Sequence, residues 1–262
     1  MEEKNDIVML SVGHIYGHDA EKMKKIHKVY NIYISNRFEN GVCIKSSRFN
    51  HSCRVNANYV CINGQQQIGS ISDIKKGEEI TISYQDEFKY GMRNREFRQE
   101  NLLKGWFFIC SCDACINESE SNEKLEELMK ETEEYHKSCS KAFEIGRVKG
   151  HEQYPLEMCR KEIRCYKQIY KIAKDKNMHP ISVFRLLERA FGTASLGYQL
   201  YEAEDLKNDG KNFARTAEKF GKILGKMQVN KGVPGIWKLM YEEFELQMSH
   251  QPYGAFYQPL SL

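Results

Sequence analysis

The sequence lacks several features that would place it in a class at once. It has no apolar run of the roughly 18 residues that a membrane-spanning helix needs, so no membrane association is expected. Its first residues, Met1-Glu2-Glu3-Lys4-Asn5-Asp6, are not a basic segment followed by an apolar stretch, so no secretory leader is predicted. It has little charge imbalance. Lysine and arginine total 39 against 36 acidic residues, and a net charge of +3 gives none of the basic excess that marks a direct nucleic-acid partner. Long polar tracts are also missing, which excludes a largely disordered chain. The 262 residues are enough for one large or two modest domains.

What the sequence does contain is nine cysteines. Without a secretory leader the thiols should be reduced, in cytoplasm or nucleus, and a tight cluster then points to metal rather than to disulfides. Cys110, Cys112 and Cys115 are such a cluster. Structural zinc takes four ligands in a tetrahedron, so one more must come from elsewhere in the chain. Cys53 is the best candidate because it lies in a separate motif-bearing segment rather than on a helical core face. Cys61 and Cys43 are weaker ones. A nucleic-acid-binding finger would need a second paired cluster or a recognition helix, and neither follows.

The character of the chain changes near residue 119. Before it, β-branched runs alternate with Gly, Asn and Asp. Residues 20–30 read as a short helix, and 29–34, 57–62, 67–71 and 79–84 as strands, with Lys75-Lys76-Gly77 a turn before the last. Beyond it the apolar spacing is helical: Leu125, Leu128, Thr132, Tyr135, Cys139 and Phe143; Leu156, Cys159, Ile163, Tyr166 and Tyr170; Phe184, Leu187, Phe191 and Ala194, opened by Pro180; Phe213, Ala217, Phe220 and Leu224; and Ile236, Met240, Phe244 and Met248. Helices of this length on short loops predict helical hairpins, and residues 116–124 read as the linker. No 34-residue repeat is evident.

Three motifs stand in order: Asn50-His51-Ser52-Cys53, Gly77-Glu78-Glu79-Ile80-Thr81-Ile82-Ser83-Tyr84, and Cys110-Ser111-Cys112-Asp113-Ala114-Cys115. With Asn36-Arg37-Phe38 and Trp106-Phe107-Phe108-Ile109 they resemble the SET-and-MYND branch of SET-domain protein-lysine methyltransferases. The resemblance begins near Asn31 and covers roughly a third of the chain. It implies an α+β fold: a partial SET-type β-fold over 1–90, a post-SET zinc segment over 91–118, and an all-α helical-hairpin domain over 119–262. Ser11 to Gly17 holds two glycines but no Gly-x-Gly arrangement, and no MYND-type module is visible, so the first part of the SET domain is expected to be missing. Val55 stands where the branch usually has Pro, and Trp106 where it usually has Tyr.

The resemblance further implies S-adenosylmethionine as cofactor, contacted by Asn36, Asn50, His51 and Phe108. Tyr84 would be the catalytic residue, Trp106 would line the lysine channel, and Cys53 would join Cys110, Cys112 and Cys115 on one zinc ion. The partner implied is a protein substrate bearing a lysine, possibly a histone, with a second protein partner on the C-terminal helices as a further expectation. The alternative is a non-catalytic scaffold derived from this fold. By their own chemistry, Glu78 and Glu79 read as a solvated turn, and Arg93, Arg95 and Arg98 as surface or ion-pairing residues on a helix before the cysteines.

Overall fold

The computed structural model describes residues 20–38, 41–62, 64–117, 122–146, 153–202, 210–229 and 236–240. Helix α1 (Ala20–Asn36) runs into a short antiparallel pair, β1 (Arg37–Phe38) against β2 (Gly41–Val42). A 3-10 turn at Ser46–Arg48 precedes β3 (Asn50–His51). Strands β4 (Ala57–Ile62) and β5 (Gln65–Ser70) form an antiparallel hairpin, and β6 (Thr81–Ile82) lies parallel to β3. Then come α2 (Arg95–Trp106), the single turn α3 (Asp113–Ile116), and four long helices, α4 (Glu123–Gly146), α5 (Gln153–Asp175), α6 (Pro180–Glu202) and α7 (Gly210–Val229). Residues 236–240 are helical as well.

Local chemistry explains the small β region. Ile62 pairs with Gln65, and Gly64 between them has φ +74°, the left-handed conformation that tight hairpin turns demand. Gly77, at φ +89°, completes the predicted turn, where the Glu78 amide donates to the Lys75 carbonyl. The nearly buried Asn56 side chain then takes the place of a longer strand. Its Oδ1 accepts from the Thr81 amide at 2.9 Å, and its Nδ2 donates to the Glu79 carbonyl at 2.8 Å and to Glu78 Oε1 at 3.1 Å. That clamp holds β6 against β3.

One apolar cluster joins the β region to the helices. Val55, Val60, Ile71, Phe88 and Met92 pack with Leu125, Leu128, Met129, Tyr166, Ile169, Ile181, Phe184, Leu187, Phe220, Leu224 and Trp237. Directed contacts reinforce it: Trp237 Nε1 donates to the Ile71 carbonyl at 3.3 Å, and Arg189 meets Asp86 at 2.7 Å. Gly69 has no room for a side chain, since a Cβ there would stand 2.9 Å from Ile236 Cβ. A second cluster of Leu156, Cys159, Ile163, Ala194, Phe213 and Ala217 lies between α5, α6 and α7.

Three expectations are corrected here. Residues 29–34 are not a strand but the second half of α1. Their β-branched composition suggests a strand, yet among the described residues no strand pairs with them, and Val29, Ile32 and Tyr33 sit at helical spacing with 66%, 54% and 43% exposure. The strand expected over 79–84 shrinks to Thr81–Ile82, because Asn56 takes the hydrogen bonds around it. Arg98 is not a surface residue but is 5% exposed, while Arg93, equally buried, makes the ion pairs expected of it, to Glu126 and Glu133. The helical stripes over 125–135, 156–170, 184–194 and 213–224 are helices as expected, with Leu125, Leu128, Cys159, Phe184, Leu187 and Phe220 buried. Phe244, Met248, residues 11–17 and the centre of the linker (118–121) lie outside the described residues, as do the side chains of Cys139 and Phe143.

Candidate active site and cysteine centre

The site is built where β3, β6 and the segment after α2 converge. α2 begins at Asn94, whose Oδ1 accepts from the Phe97 amide at 2.9 Å, a standard cap that satisfies one of the free helix donors. It ends at Phe107, which has φ +60° and donates its amide to the Leu103 carbonyl. This left-handed cap usually takes glycine. Here it turns the chain out of the helix, so that Trp106 closes the helix while Phe108 and Cys110 enter the next segment. Burial alternates along that segment. Trp106, Phe108 and Cys110 face inward, while Phe107 and Ile109 are 58% and 71% exposed.

The inward aromatic residues gather around Tyr84. Its ring centroid lies 5.4 Å from His51, 5.9 Å from Trp106 and 6.2 Å from Phe108. The Tyr84 hydroxyl donates to the Phe49 carbonyl at 2.7 Å, which leaves the oxygen lone pairs as acceptors. Burial, and then the Glu79 carboxylate, raise the pKa of Tyr84, so the phenol stays protonated. His51 has the opposite problem. Burial lowers its pKa to about 4, so the ring is neutral at physiological pH. Its Nδ1 accepts from the Tyr84 amide at 3.0 Å, which puts the proton on Nε2, 3.4 Å from Cys53 Sγ. His51 therefore ties the Tyr84 backbone to the cysteine centre, and it offers a ligand its ring face and backbone rather than its nitrogens.

A cleft of about 530 Å³ opens beside these groups, lined by Asn50, His51, Arg54, Glu79, Thr81, Tyr84, Phe108, Ile109 and the start of the cysteine loop. That volume lies within the range of small-molecule and cofactor sites, and the lining is mainly polar, with Tyr84 and Phe108 as its aromatic faces. Asn50 Nδ2 donates to Glu79 Oε1 at 2.6 Å at its edge. Asn36 is elsewhere, at the end of α1, where its amide donates back to the Ile32 carbonyl at 2.8 Å; it is not among the residues lining the cleft. Trp106 does not line the cleft either but packs beside Tyr84.

Beside the cleft, the Sγ atoms of Cys53, Cys110, Cys112 and Cys115 all lie within 4.8 Å of one another. Cys53 stands 3.6 Å from Cys115 and 4.0 Å from Cys110. A tetrahedral zinc with Zn–S bonds of about 2.3 Å needs sulfur separations of about 3.8 Å, so the donor set fits zinc in number, type and spacing. Cys43 and Cys61 are not in the cluster. Hydrogen bonds from Cys115 and Cys53 hold Cys112 well below the usual thiol range, and the same sharing pushes Cys53 well up and Cys115 up to about 11. A divalent cation relieves this competition by taking all four as thiolates.

Some residues of the site carried no sequence signal. Glu79 reads as a solvated turn, and it is exposed, yet its carboxylate holds Asn50 at the cleft edge. Gln99 and Arg98 support the cysteine loop through contacts that their helical spacing alone does not distinguish from an ordinary polar face.

Comparison with known proteins identifies a domain in the first third of the chain. Residues 3–85 match the SET domain, a stretch that starts upstream of the quoted motifs and ends just beyond Tyr84. A SET and MYND domain-containing protein of Dictyostelium discoideum is 38% identical over 78 residues, covering 29% of this chain and 14% of that protein. The human Protein-lysine N-trimethyltransferase SMYD5 is 37% identical over 82 residues, covering 30% and 19%. The Histone-lysine N-methyltransferase SET5 of Meyerozyma guilliermondii is 26% identical over 155 residues, covering 52% and 31%. The chain thus spans between about a seventh and a third of the length of these relatives.

Proposed function

From a SET domain at residues 3–85, we propose that this chain is a protein-lysine N-methyltransferase that uses S-adenosylmethionine, with structural zinc on Cys53, Cys110, Cys112 and Cys115. The observation that carries this reading is the aromatic group of Tyr84, Trp106 and Phe108 beside a cleft edged by Asn50 and His51. The cofactor, when bound, supplies an electrophilic methyl group on a sulfonium. The chain has to deliver a neutral amine in line with it. Free lysine has a pKa of about 10.4, so only about one in 2,500 is neutral at pH 7. Aromatic walls that exclude water disfavour the ammonium. The Tyr84 oxygen, with its own proton committed to Phe49, accepts an amine N–H and fixes the direction of the lone pair. Neutral His51 holds the Tyr84 backbone in place without adding a positive charge beside the sulfonium. Asn50 and the ring of Phe108 hold the cofactor in this reading, with Asn36 joining them only if the end of α1 closes over the cleft.

Titration calorimetry of S-adenosylmethionine into the zinc-loaded chain, followed by a methylation assay on lysine-bearing proteins, tests the proposal. Saturable binding and methyl incorporation are expected. A folded, zinc-loaded chain that binds no cofactor would overturn the catalytic reading and leave the scaffold alternative.

A further inference from the structure

We propose that Arg98 is a positioning residue of the four-cysteine centre, holding Cys115 and its loop in ligand geometry and offsetting the negative charge that four thiolates bring to a divalent ion. The inference rests on the metal reading above and is independent of methyl transfer.

One face of α2 is shaped to the cysteine loop. Leu102, with no exposed surface, packs against Cys110 and Cys115. The Gln99 amide grips the Cys110 peptide from both sides: its Oε1 accepts from the Cys110 amide at 2.8 Å, and its Nε2 donates to the Cys110 carbonyl at 2.6 Å. Arg95 Nη1 donates to the Cys115 carbonyl at 3.2 Å. Arg98 lies between them, 5% exposed, with Nη2 donating to the Ala114 carbonyl at 3.3 Å and to Cys115 Sγ at 3.7 Å, and Nη1 donating to the Arg93 carbonyl. A single guanidinium thus bridges the start of α2, the loop backbone and a ligand sulfur.

Charge gives this arrangement its purpose. Four thiolates on a divalent ion carry a net charge of −2, and sinking that charge into a partly buried centre is costly unless a cation stands beside it. Arg98 supplies one positive charge at the sulfur itself. A hydrogen bond from a fixed donor also orients a ligand before the metal arrives. Partners of this kind typically govern 10- to 100-fold of metal affinity. The guanidinium is suited to this because its donors form a rigid fork, whereas an ammonium is a point charge on a flexible stem.

The test uses the full chain. Zinc affinity is measured by chelator competition, and the cobalt-substituted protein is examined for its thiolate-to-metal charge-transfer band, in the wild type, Arg98→Gln and Arg98→Lys. Arg98→Gln is expected to lower zinc affinity roughly 10- to 100-fold and to shift the cobalt band, with Arg98→Lys recovering part of the affinity. If Arg98→Gln does not fold, Arg98→Lys decides: a several-fold loss with a shifted band supports the role. Wild-type affinity and an unmoved band in the folded variants overturn it. A wild-type chain with no cobalt–thiolate band would remove the metal reading and this role together, whatever its cofactor binding.

Discussion

Tyr84 has two separable duties, and a single substitution divides them. Its hydroxyl is a hydrogen-bond donor to Phe49, a link worth about 1 kcal/mol of stability, and the proposed acceptor for the substrate amine. Tyr84→Phe should therefore lower the melting temperature slightly and leave cofactor affinity within a few-fold. Methyl transfer should fall by about 100-fold or more, the scale of one lost positioning contact in a closed site. Single-turnover kinetics with calorimetry on the same variant checks this; turnover that survives intact removes Tyr84 from the reaction. Glu87 offers a pH-dependent readout. Burial pushes its carboxyl up to about 7, although Arg185 opposes the shift from 3.6 Å. Between the ordinary glutamate value of about 4.3 and 7, the folded state keeps a proton that the unfolded state has lost, so this group costs stability increasingly as pH rises through that window. Glu87→Gln should therefore raise the thermal midpoint more at pH 8 than at pH 4.5, and equal gains at both would refute the assignment. At this scale the sequence was readable where spacing along the chain carries the chemistry, as in Cys110, Cys112 and Cys115. It was silent where the partner is distant in sequence. The His51 ring is set by the amide of Tyr84, 33 residues on, and nothing local to His51 announces that.

At the scale of elements, α2 is the part on which the site depends. The residue before its N-cap is fixed to α4, since Arg93 meets Glu126 at 2.6 Å and Glu133 at 3.2 Å. Its middle carries the cysteine loop, and its last residue is Trp106. The exit through Phe107 is conformationally costly, because a left-handed residue with a Cβ is disfavoured by roughly 1–2 kcal/mol. Phe107→Gly should relieve this, offset in part by the greater freedom of glycine when unfolded. A net gain of up to about 1 kcal/mol in urea denaturation is expected, and a clear loss would show that the exposed ring makes a stabilising contact. The long helices were legible because buried residues recur every three or four positions over several turns. Of the strands, β4 was legible in full and β5 nearly so, the shorter ones much less. β3 and β6 are two residues each, too short for any alternation to register. The second half of α1 reads as a strand, unlike its first half, because Val, Ile and Tyr favour strands where a neighbouring strand exists to pair with them, and among the described residues none pairs.

At the scale of the whole molecule, the β region and the helices share a core, and Trp237 sits at their junction. It is fully buried, meets Phe184 edge-on at 5.8 Å and donates to Ile71. Trp237→Ala should cost about 3–5 kcal/mol and lower a single melting transition, with tryptophan and tyrosine signals moving together in a thermal scan. Separate transitions would mean that the two halves unfold independently. The break in composition near residue 119 was plain in the sequence, but a shared core across it was not, because no periodicity records which faces meet. The cysteine centre has a consequence of a different kind. Cys53 and Cys110 stand 57 residues apart, so an ion that binds both closes the chain into a ring around β4, β5, β6 and α2. By the loop-closure rule for cross-links, a ring of that size removes about 4 kcal/mol of freedom from the unfolded chain. The metal would then act on a state in which the cleft does not yet exist, limiting how far apart Asn50 and Trp106 can wander before the chain folds.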